Sequence, residues 1–369
     1  MKKKLLVFHP VVAPYRVDLF NYLSTFYEIK FYTFRKNLTS QKFNYENISK
    51  ELKFRPIVLD QFYKIPYFKI RQGIFAAIRE FSPDIVLVSE CGYASIAPII
   101  YKKIFRKHYK ILSIIDDSYD MLTNNNQFSK KHEWAEKILI PYFNNIINVE
   151  PRASLYFQKK YKKGIYFPII QDEIRVRGLY EQALPTSQQY INQYQLREKK
   201  ILLFVGRLVA LKNVKFLIQA FNKLNNPNVV LVIVGSGEEE NVLKQISYNN
   251  PNIIFTGRLE GEALYAWYNI AELFVLPSTQ EAFGAVTNEA LIGGCFALVS
   301  HKAGSNCLIE SGINGYIFNP YNEQEFVELL QKTIKETPLR RYPLIIRKSK
   351  MQLPFLEYVK GLINQIEKS

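Results

Sequence analysis

Short apolar runs rich in β-branched and aromatic residues alternate along the chain with stretches in which apolar residues recur every three or four positions. The runs at 5–8, 29–34, 85–88, 111–115 and 146–149 predict strands, and the periodic stretches at 17–26, 73–81, 94–105, 131–142 and 153–161 predict the helices between them. From 171 to 200 the period fades and Gln, Asn and Arg gather around Pro185, so a connection between domains is expected there. A second series follows, with strands predicted at 201–205, 229–234, 253–255, 273–276 and 296–300. Helices are predicted at 213–224, 239–247, 262–270, 288–292 and 323–336. Strand–helix alternation of this kind builds parallel sheets with crossover helices, and two successive series predict two doubly wound α/β domains. The expected division is 1–170, a connection at 171–199, a second domain at 200–345 and a tail at 346–369. A helical period at 353–368, after Pro343 and Pro354, is expected to pack back on the first domain.

At 369 residues, 48% hydrophobic and 22% charged, the chain is long enough for two cores and far from the composition of a disordered protein. No apolar run reaches the ~20 residues of a membrane-spanning helix. The basic start Lys2-Lys3-Lys4 precedes an apolar stretch that ends at His9-Pro10 without a cleavage signature, which favours a buried first strand over a signal peptide. Cys91, Cys295 and Cys307 form no close pair, and a reducing cytoplasm is expected. His9, His108, His132 and His301 show no ligand spacing, and no metal site is expected.

The net charge of +16 is unevenly spread. Residues 1–200 carry 33 Lys+Arg against 18 Asp+Glu, whereas residues 201–369 carry 16 against 15. The first half therefore invites an anionic partner, whether a phosphate-bearing substrate, an anionic membrane or nucleic acid, with plain surface solubility as the bland alternative.

In open α/β sheets, ligands bind beyond the carboxyl ends of the strands. After the strand at 201–205 come Gly206-Arg207-Leu208 and Lys212, two cations before a predicted helix start, an arrangement suited to a diphosphate. After 229–234 comes Gly235-Ser236-Gly237, a weak signal lacking the full dinucleotide fingerprint. After 273–276, Glu281 and Glu289 lie eight apart around the turn Phe283-Gly284-Ala285-Val286. Glu289 on the following helix is placed to accept both hydroxyls of a ribose, the backbone N–H groups of 283–286 face a phosphate or sugar, and Glu281 lies where a donor hexose would sit. Taken singly, each cation is as readily a solvated surface charge and each glutamate a helix cap or exposed helix residue. The combination lifts them above that.

The blocks Phe204-Val205-Gly206-Arg207-Leu208 with Lys212, Gly235-Ser236-Gly237, Thr256-Gly257-Arg258, Glu281 to Glu289 and Gly312-Ile313-Asn314-Gly315-Tyr316 stand in an order that resembles the C-terminal domain of family 4 glycosyltransferases. The resemblance covers about residues 200–330. It implies a GT-B fold, two Rossmann-like domains facing a cleft, and transfer with retention and without a metal. Arg207 and Lys212 would hold the donor diphosphate, Glu289 the ribose and Glu281 the transferred sugar, with Arg258 near the base and Gly235, Gly237, Phe283, Gly284, Ala285 and Val286 lining the donor. The opening Phe8 to Arg16 resembles bacterial polysaccharide-type members, in which Pro-Tyr-Arg lies near the cleft. Tyr15 and Arg16, Glu90 at the end of the strand at 85–88, and Asp117 are candidate acceptor contacts, with a structural role as the alternative for Tyr15, Arg16 and Glu90. Many members carry His-Asp where this chain has Asp116-Asp117, and Asp116 is expected either to bond a sugar hydroxyl in its place or to cap the next segment.

The expected activity is therefore hexosyl or N-acetylhexosaminyl transfer from a nucleotide sugar, UDP-linked, to a saccharide or polyprenyl-pyrophosphate-linked acceptor in surface polysaccharide synthesis. The expected setting is the cytoplasm, either free in it or peripheral at the inner, anionic face of the plasma membrane. The rival readings are another GT-B enzyme, such as a nucleotide-sugar epimerase, and a basic nucleic-acid-binding protein, which would leave the donor blocks without a task.

Overall fold

The computed structural model describes residues 1–35, 45–65, 68–123, 130–247 and 250–369. The chain divides into two compact units, Met1–Gln171 with Leu356–Ser369, and Asp172–Phe355.

Among the described residues, the first unit contains nine strands: β1 (Lys4–His9), β2 (Glu28–Thr33), β3 (Ile57–Val58), β4 (Phe62–Ile65), β5 (Phe68–Arg71), β6 (Ile85–Ser89), β7 (Lys110–Ile115), β8 (Asn145–Asn148) and β9 (Ile165–Tyr166). Seven of them form a sheet in the order β3-β2-β1-β6-β7-β8-β9, every pair parallel, while β4 and β5 form a separate antiparallel pair. β1 is buried from Leu5 to Phe8, as the leading apolar run requires. The strand order reverses between β1 and β6, so the loops after these strands flank the unit's switch point.

The C-terminal helix Phe355–Lys368 belongs to this unit from Leu356 onward. Val359, Leu362, Ile363 and Ile366 are buried at helical spacing, one face of the helix. Its end is fastened by the Lys3–Glu367 ion pair, by the Tyr27 hydroxyl donating to Glu367 Oε1 at 2.9 Å, and by Lys110 Nζ donating to the Glu367 carbonyl at 2.9 Å. Asn145 Nδ2 donates to Ser369 Oγ at 3.1 Å. Lys3, Tyr27, Lys110 and Asn145 all lie at the N-terminal ends of strands, so the helix closes the end of the sheet opposite the switch-point loops.

The second unit carries β10 (Lys200–Val205), β11 (Val229–Val234), β12 (Ile253–Gly257), β13 (Leu273–Leu276), β14 (Phe296–Ser300) and β15 (Gly315–Phe318). They form one parallel sheet in the order β12-β11-β10-β13-β14-β15, which reverses between β10 and β13. All six residues of β11 are buried, as expected of a strand covered on both faces. Helix Val214–Leu224 buries Val214, Leu217, Ile218 and Phe221 against that sheet, between Asn213 and Asn225 in left-handed conformations that asparagine tolerates.

Within 171–199, expected as a connection, the chain instead forms two helices of the second unit, Glu173–Gln182 and Leu184–Gln193. Asp172 caps the first by accepting from the Ile174 N–H at 3.0 Å, and Pro185 sits in the first turn of the second. Their buried anchors Val176, Tyr180 and Ile191 stand among polar residues, which hides the helical period. The tail also differs from expectation: residues 337–354 lie on the second unit and only the helix itself joins the first. Strands β3, β9 and β15 and the β4–β5 pair were not predicted.

At the N-terminal ends of β10 and β13, Glu272 and Arg340 form an ion pair at 2.5 Å with side chains 1% and 2% exposed. Glu272 Oε2 accepts from the Ile201 N–H at 2.7 Å, and the Arg340 guanidinium donates to the Leu196 and Lys199 carbonyls at 2.6–3.0 Å. The pair is thus hydrogen-bonded on both sides, the condition for two buried charges to be tolerated.

Candidate active site

In the second unit the loops after β10 and β13 meet at the switch point. Lys212 ends the 3-10 turn Ala210–Lys212, and its ammonium forms an ion pair with Glu281 from the loop after β13. Both side chains are mostly buried, 14% and 17% exposed, so solvent screens this pair only in part. The two loops are also joined through the backbone, the Thr279 N–H donating to the Leu211 carbonyl at 2.9 Å. Lys212 lies along Gly206, whose missing Cβ would sit 3.8 Å from Lys212 Cε. Arg207, next in that loop, is exposed and makes no ion pair among the described residues.

Glycine is required at two points of the loop after β11. A Cβ on Gly235 would fall 1.8 Å from the Gly206 carbonyl oxygen, and one on Gly237 would fall 2.2 Å from that of Leu208. The Leu208 N–H donates to the Ser236 carbonyl at 3.0 Å, so the two loops lie back to back. Gly235 and Gly237 thus have a packing reason of their own: they let the Arg207 loop lie against its neighbour, and the space at their α-carbons is filled by protein backbone.

The turn at 281–285 is fixed from below. Gly284 has φ +94°, and a Cβ there would meet Leu276 Cδ2 at 2.6 Å. Segment 302–305 runs beside the turn, with the Ser305 N–H donating to the Phe283 carbonyl at 2.7 Å and the Gly304 N–H to the Glu281 carbonyl at 3.2 Å. Phe283 is buried, anchoring the turn. The backbone N–H groups of Phe283, Gly284, Ala285 and Val286 find no acceptor among the described residues, and helix Val286–Ile292 begins there.

Glu289 stands on that helix with its carboxylate held by a side chain that the sequence did not single out. The hydroxyl of fully buried Tyr268 donates to Glu289 Oε2 at 2.9 Å, and the Tyr180 hydroxyl donates to the Glu289 carbonyl at 2.8 Å. The two tyrosine rings stack with centroids 6.0 Å apart. Burial first, then the nearby Glu289 carboxylate, pushes both phenols well above their ordinary range, so they remain donors. Tyr180 comes from the segment expected to be a connection. Arg258, after β12, is exposed and paired with Glu260.

In the first unit, Arg16 is 1% exposed and donates from Nη2 to Asp116 Oδ1 at 2.6 Å. Arg16 was expected among acceptor contacts; burial turns it instead towards Asp116, whose carboxylate it fixes at the end of β7. Beside it, His9 Nδ1 bonds the Val11 carbonyl at 2.6 Å, and burial lowers the imidazole pKa to about 4, so His9 is neutral. The next residue, Asp117, is pushed up to about 7, by burial first and then by Glu90, Asp116 and Glu136. Glu90 has φ +58°, an uncommon conformation for this residue type, held by its N–H donating to the Ile114 carbonyl at 2.8 Å and by Ser95 and Ser113 hydroxyls donating to its carbonyl at 2.5 and 3.2 Å. Tyr15 lies half-buried in the 3-10 turn Pro14–Arg16. The structure therefore gathers Arg16, Asp116, Asp117 and Glu90 at the carboxyl ends of β1, β6 and β7, and Lys212, Glu281 and Gly284 at those of β10 and β13.

Residues 187–344 match the family model described as Glycosyl transferases group 1. An uncharacterized glycosyltransferase of Methanocaldococcus jannaschii is 32% identical over 149 residues, 39% of this chain and 38% of that protein. The capsular polysaccharide biosynthesis glycosyltransferase CapM of Staphylococcus aureus is 28% identical over 151 residues, 39% of each. The chain thus spans well under half the length of these curated relatives. A crystal structure of the Anabaena protein HepE in complex with UDP superposes with a TM-score of 0.75 at 15% identity, covering 99% of this chain and 100% of that one. The same protein with UDP-glucose gives 0.74. Likeness at that level shows the architecture, and the chain has the two-domain GT-B fold.

Proposed function

We propose that the chain is a retaining glycosyltransferase that moves a hexose or N-acetylhexosamine from a UDP-linked donor to a saccharide or polyprenyl-pyrophosphate-linked acceptor in surface polysaccharide synthesis, at the cytoplasmic face of the membrane. One observation carries the reading: the Lys212–Glu281 pair sits where the β10 and β13 loops meet at the switch point, beside a turn with unpaired N–H groups. The names of the relatives, and the UDP and UDP-glucose held by the Anabaena structures, support it. The epimerase and nucleic-acid readings gain no support from them.

Cleavage of the bond between the anomeric carbon and the phosphate oxygen places positive charge on the sugar and negative charge on the departing diphosphate. Arg207 and Lys212 are assigned to that diphosphate, in place of a metal, with the N–H groups of 283–286 as further donors. A diphosphate that engages Lys212 competes with Glu281 for the ammonium, and the carboxylate so released accepts hydroxyls of the transferred sugar. Glu289, oriented by Tyr268, accepts the ribose hydroxyls, and Arg258 borders the base. On the first unit, Asp116, steadied by Arg16, is assigned to a sugar hydroxyl, and Tyr15, Glu90 and Asp117 to the acceptor. With retention, the departing phosphate oxygen takes the proton of the acceptor hydroxyl, and no protein nucleophile is assigned.

Thermal-shift measurements with a panel of nucleotide sugars test this reading. A UDP-sugar at ~100 times its Kd is expected to stabilise the native state by about 2.7 kcal/mol. No shift with any nucleotide sugar would overturn it.

A further inference from the structure

The first unit bears an apolar strip on its solvent side. Helix Tyr93–Ile104 turns Ile99 and Tyr101 into the core, yet its outward positions hold Ile100 and Ile104, the latter 63% exposed, and Phe105 follows at 51%. Helix Lys130–Leu139 exposes Trp134, at 69%, and Ile138, with Tyr142 exposed in the 3-10 turn that follows. Spacing of four places 100 with 104, and 134 with 138, on single helix faces. The two sets are neighbours, because Lys103 Nζ lies 3.9 Å from the Tyr142 ring centroid.

Charge says what covers this strip. From Cys91 to Ile115 the chain carries five Lys or Arg and no Asp or Glu. Of these, Lys103, Arg106 and Lys107 are exposed beside Ile104 and Phe105. No helix of the described residues is long and apolar enough to cross a membrane, so the strip suits lying on a surface rather than spanning it. Aromatic residues with one polar atom, as in Trp134 and Tyr142, favour the headgroup boundary, and exposed lysine and arginine favour an anionic leaflet.

We propose that this strip docks the first unit onto an anionic lipid bilayer, with Ile100, Ile104 and Phe105 entering the headgroup boundary and Lys103, Arg106 and Lys107 meeting lipid phosphates. The inference rests on the membrane setting proposed above and deepens it, but it is independent of the transfer chemistry, since none of these residues belongs to the donor or acceptor assignments.

Co-sedimentation of the full chain with vesicles of phosphatidylcholine alone, and of phosphatidylcholine with phosphatidylglycerol, tests it. Binding is expected to the mixed vesicles only, and to weaken with salt. Replacing Lys103 and Lys107 with glutamine is expected to weaken binding about fivefold per charge removed. The Ile104→Glu, Phe105→Glu double variant is expected to abolish binding while keeping the wild-type circular dichroism spectrum. The chain has two tryptophans and Trp267 is fully buried, so a blue shift of emission on vesicle addition reports Trp134. The proposal fails if neutral and anionic vesicles bind alike, if neither binds, or if the folded double variant binds as wild type. It fails equally if the strip proves to join two copies of the chain, seen as a dimer that the double variant dissociates and vesicles leave intact.

Discussion

Arg207→Ala is expected to lower kcat/KM for glycosyl transfer by about 10²- to 10³-fold, the usual effect of removing one group that stabilises charge developing in a transition state. The folded protein has little reason to notice. Arg207 is exposed and makes no ion pair among the described residues, and its loop is held by backbone contacts with the loop after β11 and by Lys212 packed along Gly206. Tm should therefore stay within about a degree of wild type, since exposed substitutions away from such features fall within about ±0.5 kcal/mol. Steady-state kinetics beside a thermal melt separates the outcomes. Wild-type transfer rates would remove Arg207 from the chemistry, and lost rate with a lowered Tm would mean that it acts on the fold.

The opposite signature is expected at the far end of the same sheet. Glu272→Ala leaves the Arg340 guanidinium buried with no carboxylate and strips the acceptor from the Ile201 N–H. Removing one partner of a buried ion pair costs about 3–5 kcal/mol, because the remaining charge stays out of water. For a unit of this size that lowers Tm by on the order of 10 °C. Urea titration of the intact chain reads the effect as an earlier midpoint for the second unit. Glu272 lies at the amino ends of the strands, whereas the assigned site lies at the carboxyl ends, so the protein that remains folded should turn over donor at an unchanged KM. A midpoint equal to that of wild type would show that water already reaches the pair.

How much of this was legible in the chain depended on whether a residue's role is local. β11 could be read because six consecutive apolar residues have no other stable place than between two layers of helix. β3 and β9 could not, since two residues carry no period and their pairing is supplied by the neighbouring strand. The helices at 173–193 were missed because Tyr180 and Ile191 are buried against helix Glu262–Ile270 and its surroundings rather than along a continuous apolar stripe. Their local signals were Asp172 as a cap and Pro185 in a first turn.

The site followed the same rule. Residue types suited to a diphosphate and a ribose stand out in sequence as Arg207, Lys212 and Glu289, because each follows a strand end. Which of them touch does not: Lys212 and Glu281 are 69 residues apart, and Arg16 and Asp116 are 100 apart. Tyr268 gave no signal, since a tyrosine in an apolar helix reads as core, and only the fold brings its hydroxyl to Glu289.

Calorimetric titration of UDP into the wild-type chain, Lys212→Ala and Glu289→Ala measures most directly whether one nucleotide pocket joins the loop after β10 to helix Val286–Ile292. A single UDP is expected to bind the wild-type chain, and each substitution, removing one charge-assisted contact, is expected to weaken it about 10- to 100-fold. Wild-type affinity in both folded variants would place the nucleotide elsewhere and contradict the account.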